Sequence, residues 1–355
     1  MNVSLRRFAI ASIIATALIA VAIFLRPESP QYVEEQMLPP ADSAEDDSSE
    51  SNVYESNRHE QSRNVEHTQT KNKRPVPILM FHRIMPQIAS PYTDVTPEQF
   101  RGFLIAMQDA GYTAVSFGKL IAYAEGAGEL PPNPFLITFD DGYLCNYELA
   151  FPILQELELP ALINIVGARR GADTYNGRPS TPHFTWEQAR TMRDSGLIEI
   201  GNHTYNMHGR PGVSMVRAGF VQLPDESDED FEVAITQDIL EFGRQYLWHF
   251  DARHYEYFDG QYYGHFREQY HEHFGDAPRI FAYPYGFWCE ITERVLAQHG
   301  YNVTLLTGEG VSLVQRGAGA SETLFGLRRI NVNGDFTDEE LLWIIGDLIE
   351  RAFGE

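Results

Sequence analysis

From about residue 74 onward, short runs of β-branched and aromatic residues alternate with longer stretches whose apolar positions recur every three or four residues. The runs "PVPILMFH", "YTAVSF", "FLITFDD", "ALINIVG", "LIEIGNH", "RIFAYPYG", "YNVTLLTG" and "LFGLRRINV" read as strands. Between them, "TPEQFRGFLIAMQDAG", "YELAFPILQELE", "TWEQARTMRDSG", "DEDFEVAITQDILEFGRQYLWHF", "ITERVLAQHG" and the C-terminal "TDEELLWIIGDLIERAF" read as amphipathic helices. Seven or eight such βα units predict an α/β barrel of parallel strands.

The first 74 residues carry no such alternation. Residues 8–25, "FAIASIIATALIAVAIFL", form an uncharged apolar run behind a basic flank, "MNVSLRR". The run reaches the minimum length for a spanning helix, and the charge asymmetry orients the N-terminus inside and the remainder outside. Residues 1–26 are therefore expected to be a cytoplasmic stub and membrane anchor, giving a single-pass protein with an extracytoplasmic domain. Cleavage of the segment would make the protein secreted instead. Residues 27–74, rich in Glu, Asp, Ser, Asn and Gln, read as a solvated, disordered tether. Residues 75–355 are expected to form the folded domain that carries the chemistry.

Charge narrows the partners. With 50 acidic and 27 basic residues the net charge is −23, so nucleic acid is not an expected ligand. Cys145 and Cys289 are too few for a disulfide framework and lack metal-site spacing. A monomer is expected.

In parallel barrels the reactive groups lie where strands end and loops begin. That rule selects His82 after "ILMF", Asp140 and Asp141 after "FLITF", His203 after "LIEIGN", and Tyr283 and Tyr285 after "RIFA". His208 lies five residues beyond His203, roughly 140° around a helix, so a regular helix could not aim both at one ion. A loop could, and Gly201 and Gly209 permit one. Two histidines with one carboxylate form a common ligand set that leaves positions open for water and substrate. Adjacent aspartates at a strand end diverge, so one can bind metal while the other takes a proton.

The segments "ILMFHRI", "FLITFDDGY", "IGNHTYNMH" and "FAYPYG", in this order, resemble the polysaccharide deacetylase family, the NodB-homology domains of carbohydrate esterase family 4. The resemblance implies a distorted (β/α) barrel and removal of acetyl groups from N-acetylglucosamine units of glycans. It implies Asp140 as general base and Asp141, His203 and His208 as ligands of one divalent metal ion, zinc first, with cobalt, nickel or iron as alternatives. The five-residue histidine spacing resembles the branch acting on poly-N-acetylglucosamine.

Two departures stand out. The family's third motif has an arginine that orients the base; here that position is Ala282, and Arg329 in "LRRINV" is the candidate replacement by position. The usual C-terminal histidine acid is missing, and His82 is the replacement candidate. Tyr283, Pro284 and Tyr285 are expected to wall the substrate side, with Arg329 grouped among these substrate-side residues. Residues 248–274, crowded with aromatics and histidines such as His271 and His273, match no metal-site spacing and read as a rim insert. The expected function is a metal-dependent N-deacetylase of cell-surface polysaccharide. A non-catalytic glycan binder and an O-acetyl esterase are the alternatives.

Overall fold

Seven parallel strands close into a ring in the computed structural model, which describes residues 73–175, 178–209, 217–250 and 279–354. The strands are β1 (Ile78–Phe81), β2 (Pro134–Phe139), β3 (Ala161–Ile165), β4 (Ile198–Asn202), β5 (Ile280–Ala282), β6 (Val303–Glu309) and β7 (Leu327–Asn331). Each pairs in parallel with the strand next in sequence, and β1 is bonded to both β2 and β7, which completes the barrel. The seam between β4 and β5 is thin, with Asn202 paired to Phe281 alone. Between β6 and β7 the register shifts, so the barrel is distorted there.

Among the described residues, seven α-helices of six residues or more surround or plug this ring: α1 (Pro97–Asp109), α2 (Phe117–Ala124), α3 (Phe151–Glu156), α4 (Trp186–Asp194), α5 (Asp228–Phe250), α6 (Glu290–Gln298) and α7 (Asp338–Gly354). The starts of α1 and α4 are written in the sequence. Thr96 and Thr185 each accept from the backbone N–H three residues on, and Gln99 and Gln188 return the bond to the cap.

The helix α2 corrects the strand read in "YTAVSF". Only Thr113–Ala114 is extended, pairing with the first residues of β2, because Ser116 caps a helix by accepting from Lys119 N. Glu199 of β4 adds a second cap, accepting from Phe117 N and Gly118 N at 2.8 and 2.9 Å. Phe117, Leu120, Tyr123 and Ala124 then bury into the cluster formed by Ile78, Leu136, Leu162, Ile280, Val303 and Leu327.

Strands buried on both faces read as continuous apolar runs, and all six residues of β2 are buried. The two-residue period still sorts them. Leu136 joins the inner cluster, whereas Phe135, Ile137 and Phe139 join the outer one beneath the helices.

The apolar run at residues 8–25 and the acidic tether lie outside the described residues. Among the described residues no helix is long and apolar enough to cross a membrane. Of the aromatic-rich insert, Trp248, His249 and Phe250 belong to the end of α5. There His249 stacks on Trp186 at 4.8 Å, and Phe250 meets the same ring edge-on. His271 and His273 lie outside the described residues.

Candidate active site

The inward period of the strands decides what reaches the C-terminal mouth of the barrel. On β2 it runs Leu136, Thr138, Asp140; on β3 Leu162, Asn164; on β7 Leu327, Arg329. These polar residues meet in the interior. Arg329 donates from Nη1 to Asp140 Oδ1 at 2.9 Å and from Nη2 to Oδ2 at 2.7 Å. Asn164 Nδ2 donates to Oδ1 at 2.8 Å. Arg329 is fully buried and Asp140 is 1% exposed. Burial works to raise the Asp140 pKa, but Arg329, with His203 and His82 nearby, holds it well below the usual carboxylate range. Arg329 thus acts on Asp140, and its complete burial takes it out of the substrate-side group.

The chain turns sharply after Asp140. Asp141 and Gly142 have φ of 71° and 72°, the left-handed region that a non-glycine residue enters only when its surroundings enforce it. Arg170 enforces it here. Its guanidinium donates to Asp141 O and Gly142 O, each at 2.8 Å, and to Val166 O at 3.1 Å. A Cβ at Gly142 would lie 2.4 Å from Arg170 Nη1. The turn sends the Asp141 side chain away from Asp140 and toward the histidines.

His203 continues the inward period of β4, past Gly201, where a Cβ would sit 2.2 Å from Asn164 Oδ1. Its Nδ1 lies 2.7 Å from Ala282 O, which can only accept, so Nδ1 carries the proton and Nε2 offers a lone pair. Nε2 is 3.6 Å from Asp141 Oδ1. His208 Nε2 is 3.1 Å from the same oxygen. The loop between the histidines is built for this approach. Thr204 has φ of 69° and accepts from Met207 N, while the buried Asp238 of α5 accepts from Tyr205 N and Asn206 N at 2.7 and 2.8 Å. Arg169 holds His208 O at 2.9 Å.

Asp141, His203 and His208 therefore offer three ligand atoms within 4.8 Å of one another. Burial favours a neutral His203, pushing it down to about 4. Burial would raise Asp141, yet His208 and His203 hold it well below its ordinary value. Two imidazoles and a carboxylate suit a borderline divalent cation, and the residues fit the implied metal.

His82 follows the inward period of β1 and is close enough to stabilise both carboxylates electrostatically. Its Nδ1 is buried without a hydrogen-bond partner, and its carbonyl accepts from Asn146 Nδ2 at 2.8 Å. Tyr285 is 41% exposed, and its ring lies 5.0 Å from that of His208. Pro284 is buried beneath it. Tyr283 is not at the mouth: the period that turns Ala282 inward turns Tyr283 outward, where it is fully buried against Phe281. It is a packing residue, which corrects its placement on the substrate wall.

Three neighbours escaped the sequence reading. Asn164, the lone polar residue in "ALINI", was visible as an amide inside an apolar strand. Tyr143 of "FDDGY" lies half-buried beside Asp141, and burial first and that carboxylate next push its hydroxyl pKa up. His183, 4.9 Å from the Tyr143 ring, is pushed down to about 3, chiefly by burial, and gave no signal in sequence.

Comparison with known proteins fits this geometry. Residues 127–241 match the family model described as polysaccharide deacetylase. A poly-beta-1,6-N-acetyl-D-glucosamine N-deacetylase of Escherichia coli (strain K12) is 33% identical over 109 residues, 29% of this chain and 16% of that protein. One of Staphylococcus aureus (strain MRSA252) is 29% identical over 90 residues, 25% of this chain and 30% of that protein. The chain thus matches less than a third of either relative's length. Among solved structures, a de-N-acetylase from Aggregatibacter actinomycetemcomitans superposes with a TM-score of 0.59 at 20% identity, covering 76% of this chain and all of that one. IcaB from Ammonifex degensii gives 0.56 at 24% identity, covering 77% and 96%. The structural likenesses show the fold, and the segment of residues 127–241, which carries the aspartate pair and both histidines, is similar to the polysaccharide deacetylase family.

Proposed function

We propose that the chain is a metal-dependent N-deacetylase of an N-acetylglucosamine polysaccharide, poly-β-1,6-N-acetylglucosamine being the first candidate. The observation that carries this reading is the pairing of a three-residue ligand cluster with a separate, arginine-held carboxylate one residue away. The names of the relatives support the substrate class.

Asp141, His203 and His208 would hold one divalent ion, zinc first and cobalt, nickel or iron as alternatives. Bound there, the ion would polarise the acetamide carbonyl and acidify water. Asp140, kept ionised by Arg329, takes the proton as water attacks that carbonyl. His82 gives a proton to the departing amine, and the C–N bond breaks to acetate and a free glucosamine unit. Tyr285 offers a ring face to the sugar beside the ligand cluster.

A missing motif arginine and an unplaced acid would suit a non-catalytic binder, and the contact of Arg329 with Asp140 from another strand supports the enzyme instead. The apolar run at residues 8–25 supports a membrane-anchored, extracytoplasmic enzyme facing cell-surface glycan. Acetate release from N-acetylglucosamine oligomers tests the activity. Release by the metal-loaded wild type, lost in Asp140→Asn and on chelation, is expected. No release from any N-acetylated oligomer, with release from O-acetylated xylan instead, sinks the reading in favour of an esterase.

A further inference from the structure

The loop that follows β5 presents more aromatic surface than one acetylated sugar can use. Pro284–Gly286 is a single tight turn in which Tyr285 has φ of 59° and Gly286 φ of 74°. A Cβ at Gly286 would lie 2.2 Å from Thr307 Oγ1, so the turn packs directly on β6. The chain then runs through Phe287 and Trp288 before Cys289 caps α6. Tyr285, Phe287 and Trp288 are 41%, 44% and 53% exposed.

Tyr285 stands beside the ligand cluster and Phe287 beside Tyr285, and the exposed Trp288 follows Phe287 in the chain. Tyr285 is 5.0 Å from His208, and Phe287 is 6.0 Å from Tyr285. Half-exposed rings offer one face each, the geometry in which an aromatic ring stacks on the flat apolar face of a pyranose. The strip leaves a site at which, on the deacetylase reading, one sugar of a polymer is already fixed. The neighbouring sugars must run past the mouth. Net charge argues against the other occupants of an aromatic surface, because a chain of −23 repels anionic lipid headgroups and phosphate backbones but not uncharged N-acetylated sugars.

We infer that Phe287 and Trp288, continuing from Tyr285, form a stacking track for the sugars adjoining the one being deacetylated, so that the enzyme recognises a chain and not a monosaccharide. The inference rests on the deacetylase reading for the placement of the reacting sugar. It does not rest on turnover, and the two can fail separately.

The test uses the full chain and N-acetylglucosamine oligomers of defined length. In the Asp140→Asn background, a pentasaccharide is expected to change tryptophan emission. Trp288→Ala should abolish that change and Trp343→Ala, on the outer face of α7, should keep it. In the active chain, Phe287→Ala and Trp288→Ala should each raise KM for the pentasaccharide about three- to tenfold, with a smaller effect on the disaccharide. Trp288→Phe should restore most of the loss. Equal effects on both substrates, or an emission change that persists in Trp288→Ala, overturn the track. A Trp288-dependent emission change without acetate release from any oligomer supports the track and overturns the proposed activity.

Discussion

Arg329 and Asp140 form a two-point ion pair, 2.9 and 2.7 Å long, with both partners shut off from solvent. Removing one partner of such a pair strands the other, at about 3–5 kcal/mol. Arg329→Ala is therefore expected to lower stability by that order and to abolish most activity. The sign with pH follows from the depressed Asp140 pKa. A carboxyl held below its unfolded value contributes stability above that value, ordinarily 3.8, and loses it as pH falls through the folded one. Without Arg329, burial loses its largest opponent and the folded pKa rises. The acid limb of kcat/KM should move toward neutral pH in Arg329→Gln, with wild-type activity flat across that range. An acid limb in the same place for both proteins would show that Arg329 does not set the Asp140 charge.

Most of the site was legible because its residues end strands. Asp140, Asp141, His82 and His203 stand at the ends of apolar runs, and a parallel barrel gathers such ends at one mouth. Arg329 was placed by the same rule, although its burial was not. What the runs concealed was parity. Both faces of each strand are apolar, so nothing in "RIFAYPYG" shows that Ala282 points in and Tyr283 out. Asn164, Arg170 and Asp238 act through the third dimension, each reaching a turn distant in sequence. The helix α2 hid inside an apparent strand because Glu199, 82 residues from Phe117, completes its cap.

Arg170 ties down the backbone of the turn that aims Asp141. Arg170→Gln is expected to weaken metal binding about 10- to 100-fold, the usual effect of losing a group that orients a ligand. Gly142→Ala should act in the same direction, since its Cβ would meet Arg170 Nη1 at 2.4 Å and φ there is +72°. Isothermal titration of the metal-free chains with zinc measures this directly. Unchanged affinity in both variants would leave Arg170 as packing alone.

Asp238, a buried carboxyl behind the histidine loop, has its pKa pushed up to about 6 by burial and only partly restrained by its bonds from Asn206 N and Tyr205 N. The nearby Glu241 charge works in the same direction as burial. The native state then holds its proton more tightly than the unfolded chain, whose carboxyl titrates near 3.8. Between those values, stability contributed by this group falls as pH rises. Asp238→Asn should remove that slope from melting curves taken across the window. It should also weaken metal binding, because the Asn amide nitrogen replaces one of the two accepting oxygens, so one of the bonds from Tyr205 N and Asn206 N is lost and the histidine loop loosens. A slope unchanged in Asp238→Asn would assign the titration to another group.

In the proposed mechanism His82 carries the least conventional role, that of the acid. Protonation of the leaving group by a positioned side chain contributes about 10²- to 10⁴-fold, and an amine departing from an amide needs that proton far more than a phenolate departing from an ester. His82→Gln should therefore lower kcat for N-acetylglucosamine oligomers by about 10²-fold or more, and for p-nitrophenyl acetate only slightly. Zinc affinity should be unchanged, because the ligand atoms come from Asp141, His203 and His208. The contrast between substrates separates the acid from a structural histidine. If the buried, unpartnered Nδ1 of His82 marks only a packing site, both substrates should lose turnover by the same factor, since a displaced barrel mouth would not distinguish one leaving group from another.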